Sequence, residues 1–239
     1  MANFFHPNCN NLYYIINLKQ IDMSKVTVIG ATGFVGPKVV KELADRGYEV
    51  QAIARNVEKV ETSEKVTATS VDVNDIDALA KVLEGSDAVI SAFNPGWTNP
   101  NIYDDYLKGA RNIEKAIEKS GISRYIVIGG AGSLYNQDNV QLVDTPEFPA
   151  NIKPGATAAR DYLEDIKKNT VLDWTFFSPA IEMHQGTSGE RKGSYRTGLE
   201  NPVLNEEGRS ILSAEDVAVA LVDELEQNKF VKKRFTAAY

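Results

Sequence analysis

Apolar positions along the chain switch repeatedly between a strand period and a helix period. A β-branched run, Val26 to Ile29, stops at Gly30, and a helical pattern runs from about Phe34 until Gly47 ends it. Tyr48 to Ala54 alternates as a second strand, and Val66 to Val73 reads as a third. Over 75–83, Ile76, Leu79, Ala80 and Leu83 fall at helical spacing, and Ala88 to Ile90 is a short buried strand. A helix from about Ile102 to Lys119 stops at Gly121, and Arg124 to Ile128 follows as the fifth strand. Another helix is predicted over about 157–168 and a sixth strand over 174–178. A last helix covers 213–226, with Ser213 as its cap and Asp216 three residues on.

Regular β-α alternation predicts a doubly wound parallel α/β sheet. The residues between the first strand and first helix add chemistry to that fold. Gly30, Gly33 and Gly36 are spaced G-x-x-G-x-x-G, the strand, glycine turn and helix arrangement that holds a dinucleotide pyrophosphate in a Rossmann-like sheet. Gly30 permits the tight turn, Gly33 lets backbone approach phosphate, and Gly36 lets helix pack on strand. The helix then presents its exposed N–H groups and positive dipole end to the anion. Pro37, in the first turn, forfeits an N–H that has no helical partner anyway.

In such sheets the ligand sits at the C-terminal ends of the strands, so loops 93–101, 129–155 and 179–212 are expected to build the site. The last is long, polar and glycine-containing, and suits a small C-terminal substrate lobe or lid on a single domain of 24–239. At the end of the second strand an NAD site usually carries a carboxylate for the ribose 2′-OH. Here the chain reads Ala54-Arg55-Asn56, and Arg55 can meet a 2′-phosphate, which favours NADP(H) over NAD(H). Asp72, beside Val73, is either a partner for the adenine amino group or a turn residue.

None of the ten tyrosines has a lysine four residues later, so the tyrosine–lysine proton-transfer pair of many reductases on this fold is missing. Ser133 follows the fifth strand, where such enzymes keep a catalytic serine; it is equally a polar turn residue. Trp97, Tyr135, Lys153 and His184 are candidate pocket residues, with a solitary exposed histidine as the other reading of His184. Only His6 and His184 are present, which leaves no metal-ligand cluster.

Composition narrows the partners. With 26 Lys plus Arg against 33 Asp plus Glu the net charge is −7, and no basic block points to nucleic acid or an anionic membrane. No apolar run approaches the roughly 18 residues that span a bilayer. The single Cys9 cannot form an internal disulfide, which fits a cytoplasmic protein, monomer or homodimer, acting on a small molecule. Residues 1–23 lack a signal-peptide pattern, and Met23 directly precedes the first strand, so they read as an upstream extension, either an early start assignment or an ordered arm.

Gly30-Ala-Thr-Gly-Phe-Val-Gly36 resembles the glycine turn of extended and atypical short-chain dehydrogenase/reductases. With Asp87 to Ser91, Gly129 to Leu134, Leu142 to Pro146, Leu172 to Pro179 and the ending Arg234 to Tyr239, the resemblance covers essentially all of 24–239. The chain is similar to the NADH-flavin-reductase-like atypical short-chain dehydrogenases, relatives of NmrA-like proteins and of biliverdin IXβ/flavin reductase. That resemblance implies that Thr32, Phe34 and Val35 join the phosphate loop, that Ala92 and Phe93 touch the adenosine side, and that Pro179 and Ala180 meet the nicotinamide. It implies an NADPH-dependent reductase of flavins, quinones or similar conjugated acceptors, which need only hydride delivery and a solvent proton. Two alternatives stand beside it, a non-catalytic NADP(H)-sensing regulator of the NmrA type and a relative of nucleotide-sugar epimerases or dehydratases.

Overall fold

A computed structural model describes residues 24–239, and the expected N-terminal extension lies outside the described residues. Its elements follow the order β1 (Lys25–Ile29), α1 (Gly36–Asp45), β2 (Glu49–Ala54), β3 (Val66–Ser70), α2 (Ile76–Leu83), β4 (Ala88–Ser91) and α3 (Ile102–Ser120). They continue with β5 (Arg124–Ile128), α4 (Lys153–Ile166), β6 (Asp173–Ser178), β7 (Arg196–Gly198), α5 (Ala214–Gln227) and β8 (Lys233–Ala238). The eight strands form one sheet in the order β3-β2-β1-β4-β5-β6-β8-β7, parallel except for the antiparallel β7–β8 edge. After β3 the chain returns across the sheet to β4, so the order reverses between β1 and β4. This is the doubly wound fold, and its switch point lies where ligands bind in such sheets.

Strand periodicity divides the core into two layers. Val26, Val28, Ile126 and Ile128 face α1 and α5, whereas Ile29, Tyr125 and Val127 face α2, α3 and α4. Burial on both faces is why 88–90 in β4 and 125–128 in β5 read as unbroken apolar runs. Four elements depart from the sequence expectations. Strand β3 ends at Ser70 rather than Val73, because the Asp72 carboxylate accepts from Asn74 N–H and turns the chain toward α2. Helix α4 starts at Lys153 rather than near 157, and β7 and β8 had no predicted counterpart.

Segment 179–212 is tied down on three sides. Arg191 donates two bonds to Glu42 on α1, Gly193 N–H donates to Asp216 on α5, and Glu200 is salt-bridged to Arg234 on β8. Glu42 is nearly buried and holds Arg46 as well. The bond from Arg191 is the main cause that keeps its carboxyl below the ordinary glutamate range, against the opposing effect of burial. A depressed folded-state pKa adds stability above the unfolded value and loses it as pH falls through the folded one. Glu42→Gln should therefore lower Tm near neutral pH by roughly 2–8 °C, from about 1–2 kcal/mol after allowing for the exposed Arg191. The deficit should shrink as acidification protonates Glu42 in the parent protein; thermal scans across the acid range check this.

Candidate dinucleotide site

Six strands end at one cleft. Gly30 to Val35 follow β1, Arg55 follows β2, Val71 and Val73 follow β3, and Ala92 to Trp97 follow β4. Gly129 to Gly132 follow β5, and Pro179 to Ile181 follow β6. Together they line a cavity of about 730 Å³, within the size range of cofactor sites.

The glycine turn shows a separate steric requirement at each position. Gly30 has φ +81°, and a Cβ there would lie 2.5 Å from the Ala92 carbonyl oxygen. Its N–H and that of Ala31 both donate to the Ile53 carbonyl, which fixes the turn against β2. At Gly36 a Cβ would lie 2.1 Å from the Gly30 oxygen, so helix and turn approach too closely for any side chain. Gly33 differs: its nearest neighbour would be the Gly30 oxygen at 3.4 Å, an ordinary contact, and the residue borders the cavity. The fold leaves the space before Gly33 open without needing glycine there. Helix α1 starts with no side-chain cap and no acidic residue in its first turn. A pyrophosphate at this end would meet the backbone donors and positive dipole that the helix leaves without a protein partner.

Arg55 borders the cleft where β2 ends, and its guanidinium forms no ion pair among the described residues. An exposed cation facing the end of the cleft where β2 and β3 stop is free to take an anionic partner. Glycine turn, uncapped helix and cation fit the pyrophosphate and ribose of a dinucleotide.

Thr32, Gly33, Phe34, Val35, Val73, Ala92, Phe93, Trp97, Pro179 and Ala180 all line the cavity, beside Gly30 and Arg55. Six other sequence-predicted residues do not, and Gly36 is one of them, packed against the Gly30 carbonyl. Asp72 is occupied by Asn74, and Val71 and Val73 stand at the cavity instead. Ser133 is fully buried behind Gly132, with its Oγ bonded to the Gly130 carbonyl and to Ser178 Oγ. That hydroxyl fastens the turn after β5 to β6 and is turned away from the space a reactant could enter. Tyr135 lies under the Arg234 guanidinium, and Lys153 is an exposed first residue of α4 outside the lining. His184 Nδ1 accepts from Gly186 N–H and closes a local turn.

The sequence reading missed Asn94, Tyr106, Leu142, Glu147, Phe148, Ile152 and Met183, which also line the cavity. They fall within or beside the expected loops, but no local pattern separates inward from outward positions there; Tyr106 lies on α3, which no loop argument reaches. Its hydroxyl points to the Ile128 carbonyl, and burial raises its pKa above the ordinary tyrosine range. That leaves it protonated and poorly suited to act as a base.

A family model for NAD(P)H-binding proteins matches residues 30–228. The chain belongs to this NAD(P)H-binding family. YwnB of Bacillus subtilis, an uncharacterised protein, is 35% identical over 214 residues, covering 89% of this chain and 97% of YwnB. Among solved structures, a provisionally named epimerase from Bacteroides thetaiotaomicron is 40% identical with a TM-score of 0.84, covering 91% of this chain and 97% of that one. A provisionally named NADH-flavin reductase from Streptococcus pneumoniae is 35% identical with a TM-score of 0.78, covering 90% of this chain and 99% of that one. The resemblance to flavin-reductase-like atypical short-chain dehydrogenases agrees with these neighbours. No helix among the described residues is long and apolar enough to cross a membrane.

Proposed function

We propose that the protein is an NADPH-dependent cytoplasmic oxidoreductase that reduces a flavin, quinone or similar conjugated acceptor. One observation carries this reading: apart from Arg55 at one end, the titratable side chains lining the cavity are the buried Tyr106 and Glu147 at the rim. Among the described residues, no acid–base pair is therefore placed to serve an alcohol, a sugar or a dehydration. Bound NADPH supplies a hydride. With that hydride and one solvent proton a quinone would become a hydroquinone, the two electrons coming from NADPH. A conjugated ring spreads the charge that arrives with the hydride, so side-chain acid catalysis is not required. The chain's part is to hold the pyrophosphate at the glycine turn, to select the cofactor through Arg55, and to shelter the reacting rings with Phe93, Trp97 and Phe148.

A screen of NADPH oxidation with FMN, riboflavin and quinones should show turnover. If every acceptor fails while NADPH still binds, the regulatory alternative takes its place. Arg55→Ala should weaken NADPH by about 10- to 150-fold, the worth of one charged hydrogen bond, and leave NADH nearly unchanged. Equal losses for the two cofactors, measured by calorimetry, would remove Arg55 from the ribose site.

A further inference from the structure

The acceptor end of the cavity says more about its ligand than conjugation alone. Away from the glycine turn the lining is apolar, formed by Trp97, Leu142, Phe148, Ile152, Ile181 and Met183. Trp97 and Ile181 are exposed at the mouth, at 57% and 50%. Among the described residues, Glu147 is the one charged side chain in this half, and it is acidic, not basic. Cations close in sequence are committed or stand outside: Arg160 is bonded to Asp144, Asp161 and Gln141, and Lys153 does not line the cavity. Asn94 also borders the space, and its Oδ1 is held by Gly96 N–H at 2.7 Å, which leaves the amide NH₂ to donate to a carbonyl. Resting on the oxidoreductase reading above, we infer that the acceptor is an uncharged planar ring bearing carbonyl groups, of quinone type, and that anionic acceptors are disfavoured. A phosphate or sulfonate meets no positive partner at this end and faces Glu147 on a chain of net charge −7.

Matched ligands that differ by one anionic group test this, namely riboflavin against FMN and naphthoquinone against naphthoquinone sulfonate. Each is titrated into the full chain saturated with NADP⁺, so that Arg55 is covered. Trp97 reports binding: of the two tryptophans it is the one at the cavity mouth, whereas Trp174 is buried. The uncharged member of each pair should quench fluorescence with a Kd about two- to fivefold lower, the range expected of one exposed charge. Quenching should weaken in Trp97→Phe, and Glu147→Lys should reverse the preference. Equal or tighter binding of FMN and the sulfonate to the parent protein overturns the inference, as does an unchanged preference in Glu147→Lys. Turnover separates the two readings. Neutral rings that bind preferentially without oxidising NADPH leave the ligand class standing and end the oxidoreductase reading. Turnover that favours FMN over riboflavin does the opposite.

Discussion

Gly33→Val should raise the Kd for NADPH by about 100-fold or more, a loss of at least about 2.7 kcal/mol, while Tm stays close to that of the parent protein. The two halves of this expectation come from different facts. A Cβ at Gly33 meets the fold only at ordinary contact distance, and its φ lies outside the left-handed region. Valine is therefore admitted with little strain. Its two methyl groups then occupy the space in front of the turn, where the pyrophosphate has to reach the backbone N–H groups. Distance is decisive here, because a charged hydrogen bond lengthened by a methyl group's width is no longer one. Gly36→Val is the control with the opposite profile, since its Cβ would lie 2.1 Å from the Gly30 oxygen. That variant should unfold or fail to accumulate. Calorimetry and thermal denaturation of the pair separate the ligand requirement from the packing requirement. Unchanged NADPH affinity in Gly33→Val would place the dinucleotide elsewhere.

Those glycines also show why part of the molecule could be read in advance. A turn and a close helix approach depend on residues adjacent in sequence, so the spacing alone carries them. Strands β1 to β6 and most helices were legible for the same reason, because burial imposes a short period on each segment. Strand β8 was not: Lys233 to Ala238 ends in two alanines, weak strand formers. Its pairing with β6 supplies what the sequence lacks, across more than fifty residues. Three-residue β7 is largely exposed and too short to show a period. At α4, Pro154 and Gly155 look like breakers, yet proline in the first turn forfeits no helical bond. The site divides in the same way. Arg55 and the strand-end residues follow from the strand pattern. Ser133 sits in the expected loop, but the 131–133 turn points its hydroxyl inward, and a turn's orientation depends on what packs beneath it. Glu147, Phe148 and Met183 reach the cavity only because their loops fold over it.

A large stability effect is also expected far from the glycine turn. Arg124 opens β5 at the end of the sheet opposite the cleft, and its guanidinium bonds to Glu224 Oε1 at 2.8 Å in nearly complete burial, at 8% and 1% exposure. The same carboxylate accepts from Thr175 Oγ1 and from the Lys229 and Phe230 N–H groups, so it closes the end of α5 and joins it to β5 and β6. Burial depresses the Arg124 pKa, and the Glu224 charge opposes that shift. Glu224→Ala removes four partners at once and leaves a buried guanidinium without a counter-charge. The expected loss is about 3–5 kcal/mol, a large part of the roughly 5–15 kcal/mol available to a folded domain. At roughly 2–4 °C per kcal/mol for a chain of this size, Tm should fall by about 6–20 °C. NADPH affinity of the remaining folded protein should not change, because the pair lies at the opposite strand ends from the glycine turn. The paired variant Arg124→Met with Glu224→Leu should recover a good part of the loss, since the main penalty in Glu224→Ala is the stranded charge and not the missing bonds. Should Glu224→Ala unfold within about 1 kcal/mol of the parent protein in urea titration, Arg124 must find solvent or another acceptor. The ion pair would then not be what holds α5 to the sheet.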